Sequence, residues 1–271
     1  MKSWLVLFLC FSMAILTAEV YDCFNYLNEW EVLEIRFHEL DEEVDYFVLV
    51  EATETFQGNL KPLHFKEVED RFSKFAHKIR HVVIEDHYET DSFWARESYQ
   101  RNQIMRGLQD CKPDDIILLS DCDEIPRATS VREAIARISS GETLVGFIGP
   151  MYRFFLNYRD NDWLGTQAVT FATIEAETPQ GIRQKRGLGY LLFDAGWHFS
   201  GMGGYERFME KICSFSHSEE SCGRPTEDDW NRWVEGWLRD VEPVDDTYPL
   251  YVQQNLPFFI ERGLVAPWAG Q

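Results

Sequence analysis

Basic residues are scarce in this 271-residue chain: 26 Lys and Arg stand against 46 Asp and Glu, a formal net charge of −20. So acidic a surface is repelled by nucleic acid and by anionic membranes, which argues against a nucleic-acid partner. An anionic ligand would have to be met by local bases or by a metal. Cysteine is sparse too. Six are too few for a disulfide-built scaffold, yet they fit an oxidising compartment. Setting aside Cys10, which lies in the N-terminal apolar run, Cys23, Cys111, Cys122, Cys213 and Cys222 remain, an odd number. Cys213 and Cys222 flank a short polar stretch and are the easiest pair to close; pairing among the other three stays open. There is no Asn-x-Ser/Thr sequon, no internal repeat and no low-complexity linker. Long apolar runs are also missing. Residues 4–16 form an apolar stretch that is shorter than the ~20 residues that span a bilayer. With Lys2 before it and Ala18 after it, residues 1–18 read as a secretory signal. An uncleaved anchor at 4–16 is the alternative, and the one case that implies a membrane. Either places the protein in the secretory pathway, in the ER or Golgi lumen or secreted.

What is present is a large apolar reserve, 45% of residues, enough for a sizeable core. Segments 20–24, 45–52, 78–86 and 114–121 carry the short, branched apolar runs of strands. Segments 28–40 and 92–110, between them, have helical spacing. Strands alternating with helices at this pitch predict β-α-β units and a mostly parallel, Rossmann-like sheet flanked by helices. Beyond Pro126 the pattern predicts a helix at 130–138, longer strands at 143–158 and 167–176, and a helix at 226–240 with Thr226 as its N-cap. The simplest organisation is one domain over 19–271, with a nucleotide-binding-like half (19–127) and a second half facing it (128–271).

The stretch "DDIILLSDCDEIPR", residues 114–127, concentrates the chemistry. A run with the character of a doubly buried strand ends in Asp121, Asp123 and Glu124, three acids that repel one another. In an open α/β sheet ligands bind beyond the carboxyl ends of the strands, so these acids belong in the ligand crevice. Alternate carboxylates can share a hard divalent cation, Mg²⁺ or Mn²⁺, and such an ion can hold a diphosphate as a leaving group. A turn with helix-capping acids is the competing reading. A second Asp-x-Asp, "DND" at 160–162, has no strand before it and reads as a solvated loop.

Other residues point to the same crevice. Tyr21, Asn28 and Glu29 lie on or just after the first strand, and Glu51 and Thr53 end the second, where a base and ribose could be held. Arg101 can pair with Glu97 four residues earlier or meet a phosphate, and Asn102 follows it. His198, in "DAGWHFSGMGG", is either a ligand to metal or phosphate or a core histidine. Trp230, Trp233 and Trp237 share one helical face, a pattern more typical of core than of a sugar platform. The segment "IRQKRG" (182–187) is a basic patch in an acidic chain.

Five blocks, "YDCFNYLNEWEVLEIRFHEL", "VDYFVLVEATETFQG", "ESYQRNQIMRGL", "DDIILLSDCDEIPR" and "GWHFSGMGG", together resemble glycosyltransferase family 17 in the same order. The resemblance implies a GT-A-type α/β fold and an inverting, metal-dependent transferase with a UDP-sugar donor and a glycan or glycoprotein acceptor. It further implies transfer of GlcNAc from UDP-GlcNAc to a mannose of an N-glycan in β-1,4 linkage. Carried over, Asp121 and Asp123 would bind Mn²⁺ (or Mg²⁺), with His198 completing the metal or diphosphate site. Tyr21, Asn28, Glu51, Arg101, Asn102, Asp121 and Glu124 would line the donor site. Asp194 and Glu206, flanking the late glycine-rich segment, are the candidate general bases. Two other classes fit less of the sequence: a secreted carbohydrate-binding protein of the same fold without catalysis, and an Asp-dependent phosphohydrolase.

Overall fold

The computed structural model describes residues 18–216 and 225–268. The signal-segment expectation and Cys222 lie outside the described residues. One mixed sheet runs through both halves of the chain. Its strands are β1 (Val20–Asn25), β2 (Tyr46–Ala52), β3 (Ile79–Ile84), β4 (Ile116–Asp121), β5 (Glu124–Pro126), β6 (Val145–Arg153), β7 (Arg159–Thr170), β8 (Tyr190–Leu192) and β9 (Gly196–Ser200). Their order is β3-β2-β1-β4-β7-β6-β9-β5, with β8 beside β6. The first four are parallel, as the β-α-β pattern predicts. β7 runs antiparallel to β4 and β6, and β5 antiparallel to β9.

Alternation along β4 explains why it is apolar from Ile116 to Leu119. Ile116 and Leu118 enter one core with Phe24, Phe37 and Phe47, while Ile117 and Leu119 enter another with Tyr21, Val48 and Val50. Both faces are covered, so polar side chains enter only at Ser120 and Asp121, where arginines meet them. The helix Trp30–Leu40 covers the first face through Leu33, Phe37 and Leu40. A third core gathers Val32, Ile35, Trp197, Phe199 and Phe259. Among the described residues, no helix is long and apolar enough to cross a membrane.

Four details differ from expectation. The helix predicted over 92–110 ends at Asn102 and tightens into a 3₁₀ turn, Gln103–Gly107. The strand predicted at 143–158 stops at Arg153, where Phe154 turns the chain with a positive φ of 67°. The "DND" stretch is exposed but extended, because Asp162 pairs with Pro150 in the β6–β7 ladder; backbone pairing overrides its polar sequence. That strand closes at Thr170, whose hydroxyl accepts from Thr173 N and caps a helix, Phe171–Glu177, where a strand to 176 was predicted. Thr226 is the expected N-cap, closed by a reciprocal capping box with Asp229. Cys23, Cys111 and Cys122 are free, and Cys213 is disulfide-bonded.

Candidate active site

The end of β4 delivers Asp121, and β5 begins at Glu124, so the acids occupy the turn between two strands. That turn is held from behind by Arg36, fully buried on the helix Trp30–Leu40. Its Nε and Nη2 donate to both oxygens of the equally buried Asp22, at 2.6 and 2.5 Å, and Nη2 donates to Ser120 Oγ at 2.6 Å. Nη1 donates to the carbonyls of Asp121, Cys122 and Glu124 at 3.2, 3.2 and 2.9 Å. The five fixed N–H groups of a planar guanidinium reach these six acceptors with one hydrogen shared among the carbonyls; the three of an ammonium cannot.

In front of the turn lies a cavity of about 970 Å³. Six acids line it (Glu29, Glu54, Glu97, Asp121, Asp123, Glu124), and six bases (Lys61, Arg101, Arg153, Arg183, Arg186, Lys211). In a chain of net charge −20 this local balance lets an anion enter. It also answers the question that the crowded acids pose, since each is paired with a base. Asp121 accepts from Arg101 at 3.1 Å and from Arg183 at 2.6 Å. Glu124 takes Arg183 on both oxygens at 2.7 Å and Trp163 Nε1 at 2.7 Å. Asp123 takes Lys211 Nζ at 2.6 Å, with His198 Nε2 3.3 Å from the same oxygen. Burial opposes the charge on Asp121, but Arg183 and Arg101 outweigh it and hold the carboxyl below its ordinary value. Burial likewise opposes Asp123, and Lys211 and His198 hold it well below. Lys211 is correspondingly raised: burial works against its charge, and Asp123 and Glu29 prevail.

Of the predicted site residues, Arg101, Asp121, Asp123, Glu124 and His198 meet in this cavity. Others do not line it. Tyr21 is buried near the start of β1, stacked on Tyr46 with ring centroids 5.0 Å apart; β1 runs on to Asn25, so Asn25, Tyr26 and Leu27 reach the cavity instead. The Asn28 amide donates to Glu210 at 2.9 Å. Glu51 is buried, accepting from Lys61 at 3.2 Å and from Phe65 N at 3.3 Å, with His81 Nε2 3.1 Å away. Asn102 Oδ1 accepts from Gln180 N at 2.9 Å and so ties its helix to Pro179–Gln184, which carries Arg183. Asp194 is exposed and paired with Arg127 at 2.9 Å, and Glu206 is exposed on the helix Gly204–Ile212. Neither candidate base faces the cavity, whose acids outside the 121–124 turn are Glu29, Glu54 and Glu97. The tryptophan face divides. Trp230 is buried and Trp237 stacks on Phe154 at 3.9 Å, whereas Trp233 is 44% exposed and lines the cavity.

Sequence reasoning missed Arg36, Arg183, Arg186 and Lys211. The basic patch at 182–187 was the visible signal for Arg183 and Arg186. Arg36 and Lys211 gave none, since each is a base on an amphipathic helix with no motif around it.

Two carboxylates and an imidazole are the right donors for a hard divalent cation. His198 also keeps a buried Nδ1 without a partner. As the side chains stand, no three His, Cys, Asp or Glu side chains among the described residues converge on a single ion position. The place on Asp123 is held by the Lys211 ammonium. The donor set therefore fits a metal in chemistry, provided Lys211 gives up Asp123 and one of Arg101 and Arg183 gives up an oxygen of Asp121.

A mostly parallel α/β sheet with a charge-balanced cavity at its carboxyl edge can receive an anionic ligand, and the family that this chain matches makes it a glycosyltransferase. The chain belongs to glycosyltransferase family 17, whose model matches residues 10–227. It is 32% identical over 121 residues to the human β-1,4-mannosyl-glycoprotein 4-β-N-acetylglucosaminyltransferase, and 31% identical to the mouse enzyme over the same length. Each match covers 41% of this chain and 22% of the relative, so the chain matches about a fifth of those proteins' length. Among solved structures it is similar to a mannosyltransferase from Pyrobaculum calidifontis in complex with GDP-mannose and Mn²⁺. That likeness has 10% identity and a TM-score of 0.40, over 58% of this chain and 46% of that one. A 4-diphosphocytidyl-2C-methyl-D-erythritol synthase from Anaerococcus prevotii gives 13% identity and a TM-score of 0.39, over 82% and 96%.

Proposed function

We propose that this protein is an inverting transferase of the secretory pathway that moves N-acetylglucosamine from UDP-N-acetylglucosamine to a mannose of an N-glycan, in β-1,4 linkage. The observation that carries the reading is the Asp121/Asp123 pair facing a cavity with Arg101, Arg183, Arg186 and Lys211, in a chain of this family. The relatives' names supply the donor sugar and the linkage.

In this reading the uridine lies against the end of β1, at Asn25, Tyr26 and Leu27, and the diphosphate lies among the bases. Arg186 is exposed and makes no ion pair among the described residues; its guanidinium lies over the Trp163 ring and donates to the Leu164 carbonyl at 3.4 Å, which leaves other N–H groups for an anion. Fixed cations aimed at the departing diphosphate stabilise charge that grows in the transition state. A divalent ion held by Asp121, Asp123 and His198 would add Lewis-acid stabilisation of that leaving group. Trp233 offers an apolar ring face to the acceptor sugar. One of Glu29, Glu54 and Glu97 takes the acceptor hydroxyl's proton as it attacks the anomeric carbon.

The test is transfer by the full chain with Mn²⁺, a pool of UDP-sugars and mixed N-glycans, read by product mass. The expected result is a gain of one N-acetylhexosamine that disappears with EDTA and with Asp123→Ala. Absence of both transfer and UDP-sugar binding would overturn the reading. Glycan binding that survives both treatments without turnover would identify a carbohydrate-binding protein instead.

A further inference from the structure

We infer that Lys211 is a tethered cation that occupies the metal position on Asp123 while the donor site is empty, and passes to the donor's diphosphate when a divalent ion arrives. The inference rests on the reading of Asp123 as a donor-site metal ligand.

Three observations carry it. First, Lys211 Nζ lies 2.6 Å from Asp123 Oδ2 and 3.3 Å from Glu29 Oε1. Asp123 is only 5% exposed at its side chain, so its charge needs a close partner in every state. A divalent ion on that oxygen would repel an ammonium at 2.6 Å, and the two exclude each other. Second, Lys211 lines the same cavity as Arg183 and Arg186, so the released ammonium remains beside the place of the diphosphate. Third, the helix that bears it, Gly204–Ile212, has no fully buried residue. Much of its hold on the body is polar: Arg207 donates to Glu31 at 2.5 Å and to the Asn28 carbonyl at 3.1 Å, and Glu210 accepts from Asn28. It is entered through Gly201, Gly203 and Gly204, all at positive φ (71°, 97° and 83°). Phe208 adds aromatic contacts to Phe154 and Trp230, so the helix can stay in place while the four-carbon side chain of Lys211 swings at small cost in buried apolar area.

The consequence is coupling. A metal alone must displace Lys211, whereas a metal arriving with an anionic diphosphate gives Lys211 a new partner. Metal and nucleotide then bind more tightly together than apart, by the same factor in either order.

The experiment is calorimetric titration of the full chain with Mn²⁺ alone, with UDP alone, and with Mn²⁺ at saturating UDP. The proteins are wild type, Lys211→Met, Lys211→Arg and Asp123→Asn; Lys211→Gln serves if the methionine variant does not fold. In wild type, UDP should tighten Mn²⁺ by about tenfold or more, the scale of one charge-assisted hydrogen bond. Lys211→Met should bind Mn²⁺ alone about tenfold more tightly than wild type, with a coupling smaller by about the same factor, what remains being the direct attraction between ion and diphosphate. Lys211→Arg should keep the wild-type pattern. If Lys211→Met binds Mn²⁺ no more tightly while Asp123→Asn abolishes binding, the exchange is wrong and the metal reading stands. If Asp123→Asn leaves Mn²⁺ binding intact, or if neither wild type nor Lys211→Met binds the ion, the metal reading falls and the inference with it.

Discussion

Replacing Arg36 with methionine tests how the acidic turn is held. The substitution strands Asp22, fully buried, without its counter-ion. Breaking one side of a buried ion pair costs roughly 3–5 kcal/mol. The carbonyls of Asp121, Cys122 and Glu124 lose their shared donor as well, at about 1–3 kcal/mol for each that water does not reach. A total near or above ~5 kcal/mol is comparable with the whole stability of many domains, 5–15 kcal/mol. Urea unfolding followed by tryptophan fluorescence should show a large fall in midpoint, and UDP binding below the transition should weaken as the turn relaxes. The double variant Asp22→Asn/Arg36→Met removes the stranded charge and should recover part of the loss. A fall of less than about 1 kcal/mol in Arg36→Met, or no recovery in the double variant, would refute the reasoning, because a buried charge cannot be left unpaired so cheaply.

Two further outcomes follow from other contacts. His64 is held above its ordinary value by Glu210, 3.3 Å away on the cavity-wall helix, against the opposing effect of burial. A raised histidine stabilises fully below the unfolded value near 6.5 and loses that contribution as pH rises through the folded value. The melting temperature of wild type should therefore exceed that of His64→Gln at pH 5.5, and the gap should close above neutrality; a gap independent of pH would refute the pairing. At Gly149, an added Cβ would lie 2.1 Å from the Gly196 carbonyl oxygen. Gly149→Ala should lower stability by at least about 2 kcal/mol and push β9, with His198, away from its place, measured as melting temperature and as UDP affinity. An unchanged melting temperature would mean that the β6–β9 backbones have room to part.

Much of the first half was legible because its signals are local. Apolar runs of strand length, helical spacing between them and an acidic break at Asp121 gave the parallel β1–β4 block and the end of the sheet where chemistry sits. The second half was less legible. Phe154 breaks β6 inside an aromatic run, and "DND" is pulled into β7 by a ladder partner that is not its neighbour in sequence. The site residues divide the same way. Asp121, Asp123 and Glu124 are close in sequence, so a motif exposes them, whereas the candidate bases Asp194 and Glu206 rested on closeness to a glycine-rich segment and do not line the cavity.

The sequence by itself determined that a buried strand ends in acids that must be neutralised, since burial and like charge make that requirement wherever the chain goes. Which cation meets each acid was decided only in three dimensions. Arg36 is 85 residues from Asp121, Arg183 is 59 from Glu124, and Lys211 is 88 from Asp123. Coulomb attraction and hydrogen bonding act over a few ångströms of space, not along the chain, and a base carries no mark in the sequence of the carboxylate it will face.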